Sequence, residues 1–205
     1  MIEYIVFALI SYLLGSIPSA VWIGKAFHGV DVREHGSKNA GATNTFRVLG
    51  KKAGIIVLAM DIIKGFLAVL LPKLWIVQDD EKVIIIQLLA GFFVFLGHLL
   101  PVFAGFRGGK GVATSLGIII GIHPPAAGLC VVIFLLVFIT SKYVSLGAIV
   151  ASVFFPLIVR FVFKEKSLYL LVFSIVIGAV VIIAHRKNIG RLLHGNENKM
   201  NLFKR

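Results

Sequence analysis

The chain has 205 residues, of which 59% are hydrophobic and 15% charged, and its mean hydropathy is +0.99. This balance is far more apolar than that of a soluble domain and excludes an ordinary soluble fold. The single cysteine, Cys130, excludes a disulfide within the chain, and the net charge of +12 makes the polar segments strongly cationic.

Uncharged apolar runs predict membrane-spanning helices, because about 20 such residues cross a hydrocarbon core of ~30 Å. A further helix is expected at 53–72, where Asp61 and Lys64 stand three residues apart and are interpreted as a structural ion pair. His98, near the end of an apolar helix, is interpreted as a packed, hydrogen-bonded residue. The apolar runs lie at 4–24, 83–106, 111–141, 143–159 and 167–184.

The run 111–141 decides the number of spans, because it is too long for one span and too short for two standard ones. Pro124 and Pro125 divide it, since proline removes a backbone donor and clashes with the preceding turn. Two short helices place the six Lys/Arg of 25–52 and the six of 185–205 on one side, as the positive-inside rule prefers. The prediction is an all-α polytopic membrane protein with seven transmembrane helices, two of them short.

The N-terminus is then expected outside and the C-terminus in the cytoplasm, with residues 1–205 forming a single integral-membrane domain. The first helix is expected to kink at Pro18. Segments 73–82 and 164–166 would lie outside, and the polar connections on the cytoplasmic face would be 25–52, 104–111, 141–145 and 185–199. The expected helices lie at about 2–24, 53–72, 83–103, 111–122, 125–140, 144–163 and 167–185.

A polar stretch, HGSKNAGATNTFR at 35–47, interrupts the apolar pattern. Spanning a membrane does not require such a segment, so it is interpreted as a ligand-binding loop. Gly36 and Gly41 would let the backbone approach a ligand closely. The simpler alternative for Arg47 is an anchor to lipid headgroups. The side chains that offer hydrogen bonds here are Ser37, Asn39, Thr43, Asn44 and Arg47.

A second polar stretch, GFRGGKG at 105–111, has four glycines in seven residues and can turn backbone N–H groups toward an anion. Lys110 stands where the next helix begins, a place that favours negative charge. A nucleotide-binding Walker A loop would need Gly at Ala104 and Ser or Thr at Gly111. A flexible positive-inside turn is the alternative. Together, the two cationic stretches predict a phosphate site.

Other catalytic signatures are missing from the sequence. It contains no HExxH, GxSxG or CxxC pattern, and no histidine is followed by the His-x4-Asp arrangement of coenzyme-A-dependent glycerolipid acyltransferases. We therefore expect no metal and no cofactor. His185 ends the last apolar run, and Asn188 follows one turn later on the same face.

Several long motifs occur in a fixed order: GSIPSA at 15–20, DVREHGSKNAGATNTFR at 31–47, GHLLPVFAGFRGGKGVAT at 97–114, YVSLGAI at 143–149 and HRKNIGRLLHGNENK at 185–199. With these motifs the chain resembles, over nearly its whole length, the bacterial acyl-phosphate-dependent glycerol-3-phosphate acyltransferases, the PlsY family. Two positions depart from the family pattern: Lys38 stands where Gly is usual, and Arg107 where Lys is usual.

The resemblance implies a multi-pass enzyme of the inner, cytoplasmic cell membrane, with its active site on the cytoplasmic face. It implies transfer of a fatty acyl group from long-chain acyl phosphate to the 1-hydroxyl of sn-glycerol 3-phosphate. The products would be 1-acylglycerol 3-phosphate (lysophosphatidic acid) and phosphate, in the first step of membrane phospholipid synthesis. The implied partners are these substrates, the lipid bilayer and, transiently, the enzyme that makes acyl phosphate; no nucleic acid is involved.

Matched position by position, the resemblance implies two sets of site residues. It leaves open whether His185 or a substrate phosphate is the base, and which phosphate each cation holds. A membrane transporter for an organic phosphate is the rival interpretation, although it would favour internal repeats and a cationic path across the membrane. The implied catalytic residues are Ser37, Arg47, Lys110, His185 and Asn188, and the implied substrate-binding residues are Gly41, Thr43, Asn44, Gly108, Gly109 and Ser145.

Overall fold

A computed structural model describes residues 1–75 and 80–200, and the regular structure in those residues is entirely helical. The all-helical prediction is therefore confirmed for that part of the chain. A short 3₁₀ turn, Val102–Ala104, follows α5, and a π-helical turn, Ile158–Val162, extends α8. The α-helices are α1 (Ile2–Gly15), α2 (Ser19–His28), α3 (Ala42–Leu49), α4 (Lys51–Trp75), α5 (Asp80–Leu99), α6 (Val112–Ile122), α7 (Pro124–Ser141), α8 (Val144–Leu157), α9 (Leu168–Ala184) and α10 (Arg186–Leu193).

Five stretches among the described residues are long and apolar enough to cross a membrane. Helices α9 and α10 would add a sixth if this pair, bent by 59°, counts as one span. Helix α6 is apolar but shorter. The five are Ile2–His28, Lys51–Trp75, Asp80–Ala104, Pro124–Ser141 and Val144–Val162. An integral membrane fold is thus confirmed, whereas the count of seven spans remains a prediction.

The expected kink in the first span is a break between α1 and α2 at Pro18, which has no N–H to donate. Part of the predicted outer connection at 73–82 falls on residues 76–79, which lie outside the described residues. Within 25–52, the structure corrects the prediction of a loop, because residues 42–49 form helix α3. The tail likewise contains a helix, α10. Both are eight residues long and rich in polar side chains, so a search for apolar runs does not find them.

The chain forms two compact units, residues 1–122 and residues 123–205. In the first unit, α4 packs against α2, α3, α5 and α6, and α1 packs against α5. Close helix contacts depend on glycine: a β-carbon on Gly15 of α1 would lie 2.9 Å from the Val94 Cα of α5. Likewise, a β-carbon on Gly117 of α6 would lie 2.9 Å from the backbone nitrogen of Phe66 in α4. Small residues allow such backbone approach in membrane helices.

A small apolar core fixes the polar end of the first unit to its helices. Val32, in the connection after α2, is fully buried with Ala20 of α2 and Val57 of α4. Ala42 and Leu49 of α3 pack against the same core. The polar stretch is therefore held to the helical body by apolar contacts at both of its ends.

In the second unit, α8 packs against both α7 and α9. His123 begins α7: its Nδ1 accepts a hydrogen bond from the Ala126 N–H at 3.1 Å, and its Nε2 lies 3.5 Å from Glu165 Oε1. Its ring also packs against Phe163 at 4.7 Å between centroids. The His123 side chain therefore caps the start of α7, immediately before Pro124 and Pro125.

Candidate functional site

Two polar connections of the first unit carry its candidate residues. Loop A comprises residues 29–41, between α2 and α3, and loop B comprises residues 100–111, between α5 and α6. Ser37 lies in loop A, Lys110 lies in loop B, and Arg47 lies on α3. Arg47 is exposed, whereas Ser37 and Lys110 are half-buried.

Arg33 ties loop A to loop B. Its Nε and Nη2 donate to the two carboxylate oxygens of Asp31 at 3.0 and 2.7 Å, and its Nη1 donates to the Ala104 carbonyl at 2.7 Å. These hydrogen bonds hold the pKa of Asp31 well below its usual range, and Asp31 in turn raises the pKa of Arg33. Asp31 and Arg33 therefore stay ionised, and Arg33 keeps the hydrogen bond that joins loop A to loop B.

The two loops also touch at Gly109. A β-carbon there would lie 3.1 Å from the Ala40 carbonyl oxygen of loop A. The N–H groups of Gly108 and Gly109 donate to the carbonyls of Leu99 and His98, both at 3.2 Å. This differs from the expectation that the glycine amides turn toward an anion. These two glycines instead let loop B pack closely on the end of α5.

Asn44, predicted as a substrate-binding donor, organises loop A. It is 1% exposed, and its Oδ1 accepts the Ser37 N–H at 2.8 Å. Its Nδ2 donates to the carbonyls of Val32 and His35 at 2.7 and 3.1 Å. The Asn44 side-chain amide therefore fixes the backbone of loop A at Ser37, and its hydrogen bonds are made to other groups of the protein.

In the second unit, Glu197 is hydrogen-bonded to two of the predicted residues, Ser145 and Asn188. Its Oε1 accepts hydrogen bonds from Ser145 Oγ at 3.1 Å and Asn188 Nδ2 at 2.8 Å, and its Oε2 accepts from Arg191 Nε at 2.7 Å. Burial raises the pKa of Glu197, but these three hydrogen bonds outweigh burial and hold the pKa below its ordinary value. Sequence reasoning missed this residue, although it is the one acidic residue in 185–205.

His185 stands where α9 meets α10 and is 3% exposed. Its Nδ1 lies 2.8 Å from the Val181 carbonyl, which can only accept, so Nδ1 carries the hydrogen. In the neutral ring, Nε2 therefore holds the lone pair, as a general base requires. Asn188 follows on α10, three residues later along the chain.

The family model for glycerol-3-phosphate acyltransferases matches residues 5–195. A glycerol-3-phosphate acyltransferase of Fusobacterium nucleatum is 45% identical, with 94% of this chain and 96% of the relative covered. One of Listeria welshimeri is 46% identical, with 97% of this chain and 98% of the relative covered. The chain belongs to the glycerol-3-phosphate acyltransferase family.

Two crystal structures of PlsY, described as an integral membrane glycerol 3-phosphate acyltransferase, also resemble this family member. The glycerol 3-phosphate form matches with a TM-score of 0.88 and 38% identity, covering 98% of this chain and 99% of that one. The lysophosphatidic acid form matches with a TM-score of 0.85 and 38% identity, covering 97% and 95%.

The backbone at Lys38 has a conformation that favours glycine. Lys38 of this family member has a φ of 57°, in the left-handed region. A glycine at this position would take this angle without strain. The lysine keeps the turn of loop A at a conformational cost and leaves an additional positive charge there.

The structure thus brings some of the predicted residues of this family member into contact within each unit. In the first unit, direct contacts join Ser37 to Asn44 and bring loop A, which ends at Gly41, against Gly109 of loop B. In the second unit, Glu197 joins Ser145 and Asn188. Over residues 1–75 and 80–200, no group of three or more His, Cys, Asp or Glu side chains could hold a metal ion.

Glu197→Gln should destabilise the protein at pH 7, because an amide cannot accept from three donors and turns its own NH₂ toward one of them. A buried donor left unpaired costs about 1–3 kcal/mol. Because the folded pKa is depressed, the stability contributed by Glu197 is present above its unfolded pKa, near 4.5, and lost as pH falls further. The difference in Tm between wild type and variant should therefore shrink below about pH 4.5.

The measurement is thermal unfolding in detergent across this pH range. Glu165→Gln is the matched control, because Glu165 is a half-exposed carboxylate of the same unit and its contribution should be small. Equal Tm values for wild type and Glu197→Gln at pH 7 would refute the role assigned to Glu197.

Proposed function

We propose that this protein transfers a fatty acyl group from acyl phosphate to the 1-hydroxyl of sn-glycerol 3-phosphate, giving lysophosphatidic acid and phosphate. The observation that carries the proposal is family membership across residues 5–195, which include loop A, loop B and helix α10. The names of the matched structures, a glycerol 3-phosphate form and a lysophosphatidic acid form, support the acceptor and the product. The transporter alternative has no comparable support.

Acyl phosphate as the donor is supported by the chemistry of the chain. An acyl phosphate is an activated mixed anhydride, so the acceptor hydroxyl can attack its carbonyl carbon directly. The bond from that carbon to the bridging oxygen then breaks, and phosphate leaves with the electron pair. The hydroxyl proton passes to a base. No step requires a covalent enzyme intermediate.

The cations of loop B and α3 suit the binding of two phosphate-bearing substrates. The Arg47 guanidinium can bind phosphate through two parallel hydrogen bonds, whereas the Lys110 ammonium acts as a point charge. Holding two anions together against their repulsion lowers the entropic and electrostatic parts of the barrier. Ser37, Gly41 and Thr43 would supply further contacts from loop A and the start of α3.

In the second unit, Ser145 and Asn188 would contact substrate from positions that Glu197 fixes. His185 has the tautomer of a base, but an anhydride this reactive needs little help from one. We therefore assign His185 a positioning role and expect a substrate phosphate to accept the proton.

We further propose seven spans, with loops A and B and the tail facing the cytoplasm. The support is the charge distribution: six Lys/Arg in 25–52 and six in 185–205. The acyl chain would lie in the inner leaflet of the cytoplasmic membrane, and glycerol 3-phosphate would enter from the cytoplasm.

A single vesicle experiment tests both donor and orientation. Sealed membrane vesicles from cells that lack their own activity receive glycerol 3-phosphate, a chelator, and either acyl phosphate or acyl-coenzyme A. Lysophosphatidic acid and free phosphate should form in inside-out vesicles with acyl phosphate and not in right-side-out ones. Full turnover with acyl-coenzyme A, or a requirement for added magnesium, would refute the donor chemistry. Activity confined to right-side-out vesicles would refute the orientation.

A second test separates phosphate binding from proton transfer. Arg47→Ala should lower kcat/KM about ten- to a hundredfold, because a charge-assisted hydrogen bond contributes roughly 1.5–3 kcal/mol. Arg47→Lys should restore only part of this, since an ammonium cannot reproduce the planar fork. His185→Asn should keep substantial activity. A His185→Asn enzyme that folds and binds both substrates but does not turn over would show instead that His185 is the base.

A further inference from the structure

A buried ionic cluster lies beneath loop B. Asp61 Oδ1 accepts from Ser19 Oγ and from Lys64 Nζ, both at 2.9 Å, and His98 Nδ1 lies 3.6 Å away. Lys64 Nζ also donates to the Ile17 carbonyl at 3.0 Å. The Asp61, Lys64 and His98 side chains are 3–6% exposed. The cluster therefore joins α2, α4 and α5 inside the first unit.

Stability alone does not account for this cluster. Burying two charges costs several kcal/mol of desolvation, and well-packed apolar residues of similar volume are often as stable. Ionisable residues inside a membrane-spanning segment are accordingly expected to have a function. The cluster is too tightly enclosed to receive a substrate: it lines a cavity of about 10 Å³, close to the space that one water molecule needs.

One wall of the cavity is formed by loop B, which carries Lys110. This wall includes Pro101, Gly108 and Gly109. The imidazole of His98 lies directly against Gly109, since a β-carbon there would come within 2.9 Å of its Cε1 and closer still to its Nε2. One edge of the ring thus faces Asp61, and the other supports the residue before Lys110.

We propose that His98 is a positioning residue, held by Asp61, which sets the backbone of Gly108 and Gly109 and thereby the place of the Lys110 ammonium. This inference rests on the proposed phosphate-binding role of Lys110. Asp61 fixes the imidazole, the imidazole and the His98 carbonyl fix Gly109, and Gly109 fixes the start of the Lys110 backbone. Displacement of a binding group by about 1 Å can cost a hundredfold in rate.

A double-mutant cycle between His98 and Lys110 tests this chain of contacts. His98→Ala should lower kcat/KM about ten- to a hundredfold, mainly by raising KM for the same substrate whose KM Lys110→Ala raises. In the Lys110→Ala background, His98→Ala should change kcat/KM by no more than about twofold, because residues that act as a unit are not additive. His98→Gln, measured in parallel, keeps a hydrogen-bonding side chain. This variant should fold, and its kcat/KM should lie between those of wild type and His98→Ala.

Gln87→Leu is the matched control for loss of a buried polar contact in the same helix. Gln87 donates to the Val69 carbonyl at 2.7 Å and stands eleven residues before His98, about 16 Å along α5. Gln87→Leu should lower Tm without changing kcat/KM of the folded enzyme.

The outcomes separate this inference from the proposed function. Additive losses in the cycle, or His98 variants that behave like Gln87→Leu, would overturn the positioning role while an impaired Lys110→Ala enzyme still supported the phosphate site. A fully active Lys110→Ala enzyme would overturn the phosphate-binding role of Lys110, and the positioning role would fall with it.

Discussion

The buried ion pair between Asp61 and Lys64 is the polar contact around which α2, α4 and α5 meet in the first unit. It lies inside a membrane-spanning helix, where a lone charge would be costly, and so each charge requires the other. The pair also binds the break between α1 and α2 through the Ile17 carbonyl and the Ser19 hydroxyl. These directional polar contacts connect the apolar helix α4 to the segment that leads through α2 to loop A.

From that connection the polar loops are fixed in turn, each by contacts that leave little freedom. The backbone of loop B is hydrogen-bonded to the end of α5, and the Arg33 guanidinium of loop A donates a hydrogen bond to loop B. The Asn44 side chain, on α3, donates to a backbone carbonyl of loop A. Charge-assisted and buried hydrogen bonds of this kind are strong because little water competes for them. Under the proposed function, a site preorganised in this way would hold both phosphate-bearing substrates without rearranging during the reaction.

The sequence predicted the long helices well because their signal, a run of about 20 apolar residues, is local. Polar helices such as α3 and α10 lack that signal and were missed. The ion pair was predictable from its i,i+3 spacing, but the approach of His98 from another helix was not. Glu197 was missed in part for the same reason, because Ser145 stands 52 residues away along the chain, although its other partners, Asn188 and Arg191, lie on the adjacent helix α10. Local composition also does not predict which backbone carbonyls accept hydrogen bonds from the N–H groups of Gly108 and Gly109 in loop B.

In the proposed reaction both substrates are held at once, and the acyl group passes directly between them. Isotope exchange between labelled inorganic phosphate and acyl phosphate, measured in the absence of glycerol 3-phosphate, distinguishes direct transfer from a covalent intermediate. Direct transfer predicts no label in acyl phosphate, because phosphate cannot leave until the acceptor attacks. Enzyme-dependent incorporation of label would show a covalent acyl-enzyme and would rule out direct transfer.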